Sequence, residues 1–131
     1  MIIHFMDLNF LAVMAGGLLY MAFGALYYSP FLFGNIWTRM NPSEVKDSAK
    51  YAGSAVVAFL SSFLIAIIIH SIGADDVISG LMTGLIIGIL LALAYLKNAL
   101  FGLTNLKVYG IAVLDHVIAF SLLGILHAIW G

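Results

Sequence analysis

The chain contains no cysteine in its 131 residues, which excludes disulfides, thiolate metal centres and cysteine nucleophiles. It is also poor in charge. Charged residues make up 8% of the sequence, against roughly 25% in soluble globular domains. A net charge of −1 excludes a nucleic-acid binder that works by neutralising phosphates. The first lysine or arginine is Arg39, so the basic region of a secretory signal is missing ahead of the first apolar stretch. That stretch is expected to stay as a membrane helix.

What is present is apolar. Hydrophobic residues reach 64% and the mean hydropathy is +1.16. A soluble fold of this length has no interior large enough to hide that much apolar surface. The chain reads as one integral membrane domain over residues 1–131, with the lipid bilayer as its partner. A helix needs ~20 apolar residues to cross the hydrocarbon core, and four stretches qualify: 8–28, 51–72, 77–101 and 108–130. Backbone polar groups must be satisfied within lipid, so helices are the required form. The expected fold is all-α, an antiparallel bundle of four transmembrane helices with an interfacial segment after helix 1.

The connections fill in the layout. Ser29-Pro30 should stop span 1. Residues 31–40 are apolar and aromatic but too short to span, so they are expected at the interface, with Trp37 at headgroup level and Arg39 in water. Asn41-Pro42-Ser43-Glu44 resembles a capped helix start. Residues 73–76 form a tight turn in which Asp75 or Asp76 can cap the third span. Short turns make spans 2 and 3, and spans 3 and 4, expected neighbours. Arg39, Lys46, Lys50, Lys97 and Lys107 gather at one side, while the other carries Asp7, Asp75 and Asp76. The positive-inside rule then places the basic side in the cytoplasm and both termini outside the cell membrane.

Small residues recur at four-residue spacing. Span 3 has Gly80, Gly84 and Gly88, followed by Ala92; span 2 has Ser54, Ala58, Ser62 and Ala66; span 1 has Ala12, Gly16, Tyr20 and Gly24. Such rows let helix backbones approach closely where lipid supplies no hydrophobic drive. They suit packing within the bundle, or a homo-oligomer built on one row, that of span 3. Four short helices enclose little interior, which favours an oligomer.

Asp115 and His116 lie inside an otherwise apolar span. An ionisable residue at such depth costs ~2.5–3.5 kcal/mol on insertion scales and nearly always faces a protein partner or a hydrated cavity. Lys97 and Asn98 sit at a similar depth on the preceding span. A Lys97–Asp115 ion pair stapling the two helices is the structural reading; a proton or cation path through Asp115 and His116 is the functional one. His4, Asp7, His70, Asp75, Asp76 and His127 gather at the other side, but no His-x-x-x-His or His-Glu-x-x-His spacing occurs. No metal or cofactor is expected. Ser61 and Ser62 lie mid-membrane without a nucleophile motif, so no enzyme is expected.

The stretch GALYYSPFLFGNIW, residues 24–37, resembles the hallmark of a small prokaryotic membrane family called domain of unknown function 1761. In that hallmark an aromatic-Tyr-Ser-Pro near the end of span 1 is followed by Phe-Gly and then Trp. Tyr27 supplies the leading aromatic, and Tyr28, Ser29, Pro30, Phe33, Gly34 and Trp37 match the rest. His116 fits the family's stretch in span 4, where Asp115 replaces a more usual aromatic. The resemblance implies the four-span layout and assigns no activity. The motif makes sense as a stop-and-turn anchored at the interface, or as a groove for lipid or solute lined by Tyr27, Tyr28 and Trp37. Two functions follow: an oligomeric proton, cation or small-solute pathway using Asp115 and His116 with Lys97 as counter-charge, or a non-transporting accessory or scaffold subunit that binds a partner helix or lipid.

Overall fold

A computed structural model of the chain describes residues 5–40, 47–102 and 105–131. The described residues form a 3-10 turn, Phe5–Asp7, and five α-helices: α1 Phe10–Tyr27, α2 Gly34–Met40, α3 Asp47–Ile72, α4 Val77–Leu100 and α5 Leu106–Trp130, with no strand among them. Helices α1, α3, α4 and α5 are each long and apolar enough to cross a membrane. The four expected spans are therefore present, with ends that move by a few residues. Helix α3 extends to Asp47, ahead of the apolar run that begins near residue 51. The expected cap at Asn41-Pro42-Ser43-Glu44, together with Lys46 and His4, lies outside the described residues.

Local chemistry sets the helix ends. The Asn9 side chain accepts from the Ala12 N–H at the start of α1, and that of Asn105 accepts from Lys107 N–H at the start of α5. Asp76, rather than Asp75, caps α4. Its carboxylate accepts the Ser79 N–H at 2.7 Å and the Ser79 hydroxyl returns to the Asp76 backbone N–H, a reciprocal capping box. Hydrogen bonds from the Ser79 side chain, then from its backbone, hold the Asp76 carboxyl below the usual carboxylate range.

Helix α5 is the hub, packed against every other helix, and α4 packs almost wholly on it. The glycine row of α4 is the cause. A side chain at Gly84 would run into the Phe120 carbonyl, one at Gly80 into the Gly124 carbonyl, and one at Gly88 into Val117. The two backbones meet along a seam that tolerates no Cβ, so dispersion contacts accumulate over most of the helix length. Helix α3 turns instead to α1 and α5. The expected neighbour relation of spans 2 and 3 is corrected accordingly: α3 and α4 are joined by a tight turn but barely touch, because the seam commits α4 to α5. Their outward faces, including Leu60, Leu64, Ile86, Leu90 and Leu93, are exposed, as a lipid-facing surface is.

The seam predicts opposite outcomes for two glycines. Gly84→Leu should destabilise the bundle by more than about 3 kcal/mol, beyond the usual overpacking cost. Gly24→Ala, where an added Cβ meets nothing within 4 Å, should be neutral or stabilising by up to about 1 kcal/mol. Equilibrium unfolding of the purified variants measures both.

Candidate functional site

The motif end of the bundle is built on the last turn of α1. Proline at position 30 cannot continue the helix, and the chain folds back through Phe33 N–H to Tyr27 O and Gly34 N–H to Ser29 O, each at 3.0 Å. Gly34 is required here, because a Cβ would strike the Tyr28 carbonyl. The turn packs the Trp37 ring edge-on to Tyr28 and Phe33 beside Tyr27. Both tyrosines then reach α5. Tyr27, buried, donates its hydroxyl to the Ile111 carbonyl at 2.5 Å, and Tyr28 donates to the Asp115 carboxylate at 2.9 Å. Ile111 and Asp115 are one turn apart on α5, as Tyr27 and Tyr28 need to be met by adjacent levels of one helix face.

Asp115 is 7% exposed. Its partner among the described residues is the neutral Tyr28 hydroxyl, not Lys97. Lys97 and Asn98 are exposed near the end of α4. The reason is rotational. Lys97 follows Gly88 by nine residues, or roughly 180° at 100° per residue. The face of α4 that carries the glycines packs on α5, so Lys97 points away. His116, next to Asp115, faces α4 instead: its ring meets Tyr95 edge-on and stacks on Phe120. Its Nδ1 is buried and has no hydrogen-bond partner among the described residues. Asp115 and His116 thus sit back to back, one toward the aromatic motif and one toward α4.

A second polar knot lies toward the other end, where the sequence places His127 among the polar residues of that side and Ser62 in a small-residue row without any sign that the two meet. The Ser62 hydroxyl lies 2.8 Å from the Val13 carbonyl and 2.9 Å from His127 Nε2, joining α1, α3 and α5. A carbonyl can only accept, so the Ser62 proton goes to Val13 and His127 must donate through Nε2. That direction is opposite to a histidine base activating a serine. Gly16 lies against this knot, where a side chain would collide with Ser62. His127 also lines a cleft of about 290 Å³ open at the end where α1 and α4 begin and α3 and α5 end. The cleft includes His70 and Asp75. Among the described residues no group of three histidine or acidic side chains is arranged to hold a metal ion.

Residues 11–128 match the family described as "Protein of unknown function (DUF1761)". The chain belongs to this family. No curated protein and no solved structure matches it. Membership in DUF1761 agrees with the four apolar helices and gives the site no activity. The aromatic turn that carries the resemblance is the segment that holds Asp115.

The Tyr28–Asp115 contact can be weighed directly. Tyr28→Phe removes the donor and leaves a buried acceptor, which should cost about 1–3 kcal/mol. Adding Asp115→Leu removes the acceptor too, and should recover part of that loss. A double-mutant cycle by equilibrium unfolding reads the difference; additive losses would mean the two groups do not depend on each other.

Proposed function

We propose that this protein provides a pathway for protons or a small cation across the cell membrane, with Asp115 as its central group and His116 beside it. One observation carries the reading: a buried carboxyl inside a membrane-spanning helix is held by a neutral hydroxyl. A lysine partner would fix it as a permanent carboxylate. A tyrosine hydroxyl can hydrogen-bond to either the charged or the protonated form, so Asp115 is free to exchange a proton or to receive a cation. Intramembrane carboxylates of this kind mark ion and proton routes. His116 Nδ1, with no partner of its own, is a second group able to take a proton next to it.

The alternative is an accessory or scaffold subunit. Its support is that both tyrosine bonds fasten the aromatic turn onto α5, as a purely structural staple would. In either reading a homo-oligomer would have to assemble on the outward apolar faces, because the glycine row of α4 is taken up by α5 inside the chain. The reading also places the basic side, with Arg39 and Lys107, in the cytoplasm and the Asp75 side outside.

Two experiments test this. The absence of native cysteine makes labelling clean. Asp75→Cys should react with an impermeant maleimide on intact cells, and Lys107→Cys only after permeabilisation; the reverse pattern would invert the proposed orientation. In proteoliposomes, wild-type protein should pass protons or monovalent cations and Asp115→Asn should lose at least about tenfold of that flux, or roughly 1.4 kcal/mol in the barrier. Equal flux in the folded variant would remove Asp115 from the path and leave the scaffold reading.

A further inference from the structure

The cleft at the opposite end from the aromatic turn is more than a gap between helix ends. Its floor is apolar, formed by residues that include Ala66 and Ile69, and its lining includes Asn9, His70 and Asp75. At about 290 Å³ it stands near the lower limit of ligand pockets, about 300 Å³, and suits a short apolar body with one polar head. His127 lines it while being 2% exposed. Its Nε2 is committed as donor to Ser62, which leaves Nδ1 with a lone pair. Among the described residues that atom has no hydrogen-bond partner, and it is not among the side-chain atoms sealed off without one. His127 is part of the cleft lining. Among the described residues this acceptor has no donor, and a ligand in the cleft can supply one.

Charge selects which donor. The described basic residues Arg39, Lys50, Lys97 and Lys107 lie toward the other end, on α2, the start of α3, the end of α4 and the start of α5, whereas Asp7, Asp75 and Asp76 lie at the cleft end. The C-termini of α3 and α5 also point here, with their negative dipole ends. The two helix N-termini at this end are answered by Asn9 and Asp76. Asp76 is occupied in its cap, and Asp75, exposed, is the carboxylate on the cleft itself.

We propose that this cleft binds a small primary ammonium group, which donates one N–H to His127 Nδ1, pairs with Asp75 and lays its alkyl portion on the apolar floor. The site stands apart from Asp115, about 18 Å along α5 at 1.5 Å per residue, and binding here requires no transport. A primary ammonium can come from a free amine or from a phosphatidylethanolamine headgroup.

The test uses the full chain in phosphatidylcholine nanodiscs, titrated with n-butylammonium chloride, while the ring nitrogens of 15N-labelled histidine are followed by NMR. Saturable binding that shifts His127 is expected. Asp75→Asn, an exposed change that leaves the fold intact, should weaken it at least about tenfold, and Ala74→Leu, which narrows the cleft from its loop, should do likewise. Tetramethylammonium carries the charge but no N–H, and should bind at least about tenfold more weakly. No saturable binding, binding indifferent to Asp75→Asn, or equal affinity for tetramethylammonium would overturn the proposal. Repeating the titration with phosphatidylethanolamine in the bilayer names the source: competition supports the headgroup, and unchanged affinity supports a free amine. Since no flux is measured, failure of the transport reading does not touch this result, nor the reverse.

Discussion

The rest of this bundle depends on the approach of two backbones along Gly80, Gly84 and Gly88 of α4 and Val117, Phe120 and Gly124 of α5. In lipid, apolar side chains gain nothing by leaving their surroundings, so helices associate where packing is closest. A seam without side chains on one wall gives that closeness. It also fixes the rotation of α4, which turns Tyr95 onto the His116 ring and Lys97 outward. Once α5 has committed one face to α4, its other face is left for α1 and α3. Those two helices then pack on each other and on α5 but have little reason to meet α4.

That second face of α5 carries Asp115 and His127, and each has a hydrogen-bond partner across a helix boundary. Asp115 takes Tyr28 from the end of α1; His127 takes Ser62 from α3, which in turn donates to α1. In a medium without water, an unmet buried polar group costs several kcal/mol. These contacts therefore determine which residues of α1 and α3 stand opposite which residues of α5, where apolar packing alone would permit sliding. Leu123 fills the stretch of α5 between the two knots with a fully buried side chain, and Ile69, also buried, packs beyond Ser62 toward the cleft.

Much of this was legible in the sequence, for identifiable reasons. Span number and helix type follow from apolar length, and four-residue glycine spacing marks a close contact. The break at Ser29-Pro30 and the fold-back at Gly34 follow from proline and glycine chemistry. What the sequence hid was which groups meet. Lys97 and Asp115 are at equal depth, and depth suggested an ion pair. Yet the nine-residue separation between Gly88 and Lys97 already places the lysine on the face opposite the seam, so the periodicity contained the answer that depth obscured. Tyr28 and Asp115 were each conspicuous, one in a turn motif and one as a buried charge. Their meeting depends on how α1 crosses α5, and that long-range geometry has no local signature. Ser62 and His127 are 65 residues apart and share no motif at all.

The two ends of the molecule are unlike, and the difference bears on function. At one end an aromatic turn closes over Asp115; at the other an open cleft descends to His127. Between them Phe120 and Leu123 occupy the stretch of α5 that a charge would have to pass, about 18 Å at helical rise. Proton transfer needs hydrogen-bonded neighbours, which neither of these two side chains offers. The partner of the buried carboxyl bears on the proposed pathway: among the described residues Asp115 meets a hydroxyl, where an ion pair would hold it as a fixed carboxylate. A hydroxyl can donate to the carboxylate or accept from the protonated acid, so the Tyr28 contact can persist through a change of proton at Asp115 while still fastening α1 to α5.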